Sequence, residues 1–139
     1  MTGRAATLAL LLAAAAALPA CSNDKPAKAE SNIAPTNYRK EVVDTLKELF
    51  VKNETVSVTN ALISEPALQQ VGGEPHYSIC VRYAAHAAYL NVIANVERIG
   101  YFYNGHLNQL VETTPGQCAT AAYKPFPELN EVCLGKGCR

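Results

Sequence analysis

No charge of one sign dominates this chain: 12 Lys or Arg stand against 12 Asp or Glu in 139 residues. The charges are spread singly, so the basic patch or stripe that nucleic acid or anionic head groups need is missing, and nucleic acid is excluded as a partner. After the run Leu8 to Ala20, no second apolar stretch approaches the ~18 residues of a membrane-spanning helix. No Ser or Cys sits in a glycine turn beside a plausible base, and Gly72-Gly73 lacks the following Lys and helix start of a phosphate loop. The cysteine intervals, 80 to 118, 118 to 133 and 133 to 138, lack the paired short spacings of a zinc site. His76, His86 and His106 fall on separate elements, where a lone imidazole is ordinarily a surface or hydrogen-bonded residue. The expectation is therefore no metal, no cofactor and no enzymatic activity. A hydrolase using His86 or His106 with a carboxylate such as Glu97 ranks last among the readings. No internal repeat is visible.

What is present begins with an address. Arg4 supplies a positive start, and Thr7 to Ala17 is a Leu and Ala stretch too short to span a bilayer, ahead of small residues. This pattern predicts a signal peptide over residues 1–20. Leu18-Pro19-Ala20-Cys21 resembles the lipobox of bacterial lipoproteins: an aliphatic residue, two more, then the obligatory Cys. The resemblance implies that Cys21 becomes the first residue, carrying a diacylglyceryl thioether and an amide-linked acyl chain. Each buried methylene contributes about 0.8 kcal/mol, and two or more chains anchor stably, so the bilayer is the first partner implied. The alternative is an ordinary secretory cut near Ala17 or Ala20 that leaves Cys21 a plain thiol. Ser22 follows in place of the Asp associated with inner-membrane retention, which by resemblance favours the outer membrane and a periplasmic orientation. Without residues 1–20 the chain has 11 Lys or Arg against 12 Asp or Glu, a formal charge of −1.

Cysteine parity fits that address. Five Cys is odd, but lipidating Cys21 leaves Cys80, Cys118, Cys133 and Cys138, an even set suited to an oxidising compartment. Four cysteines permit three pairings, and sequence alone does not select among them. The pairing expected is Cys80 with Cys118, because Cys118 opens a segment that can lie beside the Cys80 strand, and Cys133 with Cys138, because two glycines between them let a short loop close. Chain entropy assigns about 4 kcal/mol to the first link and roughly 2 kcal/mol to the second.

Residues 21–36 are rich in Pro, Ala, Ser and charge with Ile33 as the one large aliphatic residue, a composition that reads as a tether. Residues 37–139 then form a single small domain. Tyr38, Val42, Leu46, Leu49 and Phe50 fall on one helical stripe, predicting a helix over 37–52 with Thr36 as N-cap and Asn53 ending it in the left-handed conformation. Thr55 to Ile63 is β-branched with Val56, Val58 and Leu62 on one side, and Glu65-Pro66 stops it. A loop through Gly72-Gly73 leads to His76 to Tyr83, which alternates as a half-buried strand. Ala84 to Asn95 extends that strand or forms one to two helical turns. Val96 to Tyr103 and Leu107 to Glu112 flank Asn104-Gly105, a strong hairpin signal. The tail through Pro125-Phe126-Pro127 is extended, with Phe126 anchoring it to the core. The fold class expected is α+β in two layers: one N-terminal amphipathic helix on a three- to four-stranded antiparallel meander.

Together, the lipobox, the short tether, the single amphipathic helix with its Val-rich strand, Ser78-Ile79-Cys80-Val81-Arg82-Tyr83 and Pro125-Phe126-Pro127-Glu128-Leu129 resemble small envelope lipoproteins of Gram-negative bacteria. That resemblance implies architecture and location but assigns no catalytic or binding residue. The function expected is a non-enzymatic envelope lipoprotein acting as an interaction or support module for another envelope protein. The alternative is a periplasmic inhibitor or small-ligand-binding lipoprotein. Tyr101 and Tyr103 share one face of their strand, with Phe102 on the other, and are the candidate contact residues, alongside Tyr83 or Tyr89.

Overall fold

The computed structural model describes residues 33–87, 93–132 and 134. Helix α1 (Tyr38–Lys52) is followed by β1 (Thr55–Ser64), β2 (Ala67–Val71), β3 (Glu74–Ala87), β4 (Ile93–Tyr103), β5 (His106–Glu112), β6 (Tyr123–Pro125) and the single turn α2 (Pro127–Asn130). All strand pairings are antiparallel, in the order β5-β4-β3-β1-β6, with β2 also on β3. The α+β class stands, with three corrections. Among the described residues the sheet has six strands where three to four were expected. Its order departs from a plain meander, because the chain after β5 returns to the opposite edge. The helix starts at Tyr38, inside the chain and not at its amino terminus.

The long hairpin explains the extra strand. β1 pairs with the second half of β3 and β2 with the first half, so β1 and β2 read as one strand broken at Glu65-Pro66. Proline has no N–H to give the ladder, which is why the break falls there. Gly72 and Gly73, with φ of 60° and 86°, form the two-residue turn that closes β2 onto β3. The break removes a backbone partner from Cys80, and the Ser64 hydroxyl replaces it, accepting the Cys80 N–H at 2.9 Å. Ala84 to Ala87 extends β3 as strand, and β4 begins at Ile93.

A bulge reshapes β1. The register with β3 shifts between Thr59 and Leu62, and Asn60 takes φ of 54°. Beyond it Ala61 and Ile63 are buried, while Leu62, expected on the same side as Val58, is only half-buried. The carboxyl-terminal segment docks on this bulge: Asn130 Oδ1 accepts the Ala61 N–H at 3.0 Å, and the Phe126 N–H donates to the Ala61 carbonyl at 2.9 Å.

The core lies between α1 and the sheet. Val42, Val43, Leu46 and Phe50 pack with Val58, Ile63, Ile79, Val81, Tyr83 and Phe102, and Phe126, Leu129 and Val132 close one side. Phe50 meets Tyr83 edge to face at 5.4 Å. Asn37, not Thr36, precedes the first helical residue and makes no side-chain cap, and the left-handed residue after the helix is Glu54 at φ 52° while Asn53 stays at −95°. The first turn is held from two sides. Arg39 makes paired 2.8 Å hydrogen bonds to the Glu128 carboxylate, and Glu41 accepts the Leu107 N–H at 2.6 Å. Ahead of the helix Pro35 is buried and Ile33 lies against Gly105, so the chain already rests on the domain before position 37.

Candidate functional site

Alternation along the strands fixes which side chains face away from α1. On β3 these are Ser78, Cys80, Arg82, Ala84 and His86, and opposite them on β4 stand Tyr101, Ile99, Glu97, Asn95 and Ile93. Residues 113–122 leave β5 and cross this face to reach β6 at the other edge of the sheet. The Cys80–Cys118 disulfide ties the crossing segment to the central strand, with Cα atoms 6.0 Å apart. Cys80, Cys118 and Ile99 form a second buried cluster, covered by Tyr101, Ala121 and Tyr123.

Hydrogen bonds fix the strap along its length. The Thr113 N–H donates to the Glu97 carbonyl at 3.2 Å, the Gln117 side chain accepts the Thr114 N–H at 2.7 Å, and Gln117 Nε2 donates to the Tyr101 hydroxyl at 3.4 Å. The Tyr123 hydroxyl donates to the Glu97 carboxylate at 2.6 Å, with the Arg82 guanidinium 4.4 Å above the Tyr123 ring. Burial first, then the hydrogen bond and charge of Glu97, push the Tyr123 hydroxyl well above the ordinary tyrosine range, and Arg82 opposes them.

Beside the strap, where the sheet edge is broken at Glu65-Pro66, lies a cavity of ≈ 310 Å³ lined by Ser64, Gln69, Ser78, Cys80, Gln117 and Thr120 among others. The exposed Lys124–Glu65 ion pair joins β6 to the break at its mouth. Its walls mix hydroxyls and amides with the apolar residues Pro66, Ala67, Ile79, Ala121 and Ala122, so it offers a small molecule both hydrogen-bonding groups and apolar surface.

A second cleft, ≈ 220 Å³, opens at the end of the domain where α1 stops, between Leu49, Phe50, Tyr83, Ala85, Val96 and Arg98 among others. Arg98 Nε donates to the Tyr83 hydroxyl at 3.1 Å, and Arg98 also pairs with Glu112 at 3.1 Å. Burial raises the Tyr83 hydroxyl above its usual range, and the Arg98 hydrogen bond lowers it in part. Val51, Ile93 and Val111 are exposed around this end, at 69%, 66% and 43%.

The residues singled out by sequence separate accordingly. Cys80 and Cys118 meet as expected. Cys21, Cys133, Cys138 and Tyr89 lie outside the described residues, and so does the second expected pairing. Tyr101 is half-buried under the strap, whereas Tyr103 is exposed and stands near the His76 ring, centroids 6.3 Å apart. Tyr83 belongs to the helix-side core, so it does not join an outward aromatic patch. His106 contacts Glu41 at 3.1 Å, and Glu97 is engaged by Tyr123 and Thr113. The register sets His86 opposite Ile93, two cross-strand pairs from Arg82–Glu97 on the same face and so roughly 13 Å along the strand. Among the described residues no three of His, Cys, Asp and Glu gather as metal ligands. Also among them, no helix is long and apolar enough to cross a membrane.

Ser64, Gln117, Glu97 and Tyr123 carry the strap face, and sequence reasoning passed over all four in that role. The available signal was the polar run Ser78, Cys80, Arg82 on one side of β3, which marks a face needing polar cover. Fold and covalent framework together define a disulfide-stapled, two-layer α+β domain. No family model matches the chain, and neither a curated protein nor a solved structure matches it.

Proposed function

We propose that this chain is a non-enzymatic lipoprotein of the bacterial envelope, anchored through acyl chains on Cys21 in the outer membrane and facing the periplasm. Its folded domain serves as an interaction or support module for another envelope protein. The observation that carries the reading is the buried Cys80–Cys118 disulfide, since a structural disulfide of this kind belongs to an oxidising compartment. It agrees with the export signal and lipobox-like Leu18-Pro19-Ala20-Cys21. At the end of the domain where α1 stops, Val51 on the helix and Ile93 and Val111 on the sheet face turned away from it are exposed and supply apolar contact area for a partner. Of the two tyrosines expected to make that contact, Tyr101 is half-covered and Tyr103 stands at the opposite end.

The test is made in a Gram-negative host at native expression. Fractionation followed by mass spectrometry of the amino-terminal peptide is expected to return an acylated Cys21 in the outer membrane, and an unmodified thiol or a cut elsewhere overturns the anchor. Photo-crosslinkers at Val51, Ile93 and Val111 are expected to capture one envelope protein reproducibly, and no capture at any of the three overturns the interaction role.

The cavity beside the strap favours a second reading, a small-ligand-binding lipoprotein of the periplasm. Thermal shifts with a panel of neutral polyols and amides test it: a shift abolished by Gln69→Leu supports this role, and its absence across the panel removes it.

A further inference from the structure

The described chain enters the domain at one end. Ile33 Cγ2 would lie 2.9 Å from a Cβ placed on Gly105, so residue 33 sits on the Asn104-Gly105 turn between β4 and β5. The β3–β4 register, Tyr77 opposite Phe102, puts the Gly72-Gly73 turn at this same end, and Glu41 brings the first turn of α1 there through Leu107. Three large apolar side chains are exposed here: Ile33 at 44%, Leu68 at 52% and Tyr103 at 40%. The ionisable groups facing them are Glu74, His76, His106 and Glu41, and neither turn carries a Lys or Arg.

We propose that this end of the domain rests on the phospholipid bilayer, with Ile33, Leu68 and Tyr103 seated at the head-group boundary. The inference builds on the lipidation of Cys21. Twelve residue steps separate Cys21 from Ile33, a reach of at most ~43 Å for the extended chain. β3 alone, at 14 residues, is ~46 Å long. Bringing the far end of the domain to the membrane would therefore exhaust the linking chain, whereas the turn end meets the bilayer with most of that length unused. Tyrosine suits the position, because its ring is apolar and its hydroxyl stays hydrated at the interface. With no basic cluster the contact is apolar in origin, so it persists on neutral lipid and at high salt.

The chain contains no tryptophan, so one introduced indole reports alone. Lipidated full-length chain carrying Tyr103→Trp, or Val51→Trp at the opposite end, is reconstituted into neutral phosphatidylcholine vesicles with brominated acyl chains. The expected result is quenching at position 103 at least about threefold greater than at position 51, unchanged by salt, and reduced by roughly half when Leu68→Asp is added. Equal quenching at both positions, stronger quenching at 51, or none at either overturns the orientation. The mass of the amino-terminal peptide is measured on the same sample. Acylated Cys21 without preferential quenching overturns this inference alone, while an unmodified Cys21 overturns the lipoprotein reading and this inference with it.

Discussion

At Gly100 an added Cβ would meet Leu107 Cδ1 at 3.0 Å and Ile79 Cδ1 at 3.1 Å, inside the helix-facing layer. Gly105 is required for another reason, since its φ of 78° disfavours a side chain and Ile33 occupies the space a Cβ would take. Gly100→Ala is accordingly expected to lower stability by about 1–3 kcal/mol through overpacking, read as a lower urea midpoint with unchanged slope. A residue-scale effect of opposite character belongs to Tyr123. Its hydroxyl keeps its proton in the fold above the ordinary pKa of 10.0, while the unfolded chain ionises there. The stability it contributes is therefore complete below pH 10 and is lost as pH rises past that value. Tyr123→Phe should cost about 1–2 kcal/mol at neutral pH, for the lost bond to Glu97, and should flatten the alkaline decline. Urea titrations of both proteins from neutral to alkaline pH check this, and parallel curves would contradict the assignment.

The elements were legible wherever a periodic signal ran unbroken. Tyr38 to Phe50 repeats at helical spacing and forms α1, and Tyr77 to Tyr83 alternates and forms the middle of β3. Three features were hidden because tertiary partners create them. β2 carries no apolar alternation of its own and exists because the Gly72-Gly73 turn folds it onto β3. β6 is three residues held against β1, too short to leave a pattern. The β1 bulge shifts Ile63 to the core and Leu62 away from it, a phase change that alternation alone cannot report. Of the candidate site, compartment and parity pointed to paired cysteines, and the Cys80–Cys118 link was expected because the Cys118 segment can lie beside the Cys80 strand, whereas the burial of Tyr101 depends on a strap that only the return path from β5 to β6 defines. The bulge also has a testable dependence. Ala61 is 2% exposed and its N–H donates to the Asn130 side chain. Asn130→Ala should cost about 1–3 kcal/mol because that donor loses its acceptor in the interior, and Asn130→Asp, which keeps an acceptor, should recover most of it. Equal losses in the two variants would show that the contact is incidental.

Across the whole molecule, two buried clusters lie on opposite faces of one sheet and depend on different bonds. The helix-side cluster runs from Val42 to Val132, and among the described residues no cysteine belongs to it. The strap-side cluster is small, and its two cysteines are its covalent closure. Reduction therefore acts unevenly. It removes the cross-link that restrains the 38-residue separation between Cys80 and Cys118 in the unfolded chain, about 4 kcal/mol on the entropy account. A domain of this size is stable by roughly 5–15 kcal/mol, so the reduced protein should stay folded but with a much smaller margin. At a urea slope near ~1.5 kcal/mol/M, that loss moves the midpoint down by roughly 2–3 M. The strap should respond first, since without the sulfur link it retains the Glu97, Tyr101 and Tyr123 hydrogen bonds and the short β6 pairing, while α1 and the β3–β4 ladder keep their contacts. Hydrogen exchange on reduced protein should show faster exchange over residues 113–122 with little change in α1 and β3. The Cys80→Ala/Cys118→Ala variant should reproduce both the midpoint shift and the exchange pattern, and uniform acceleration across the helix and the strap would mean that the two faces unfold as one.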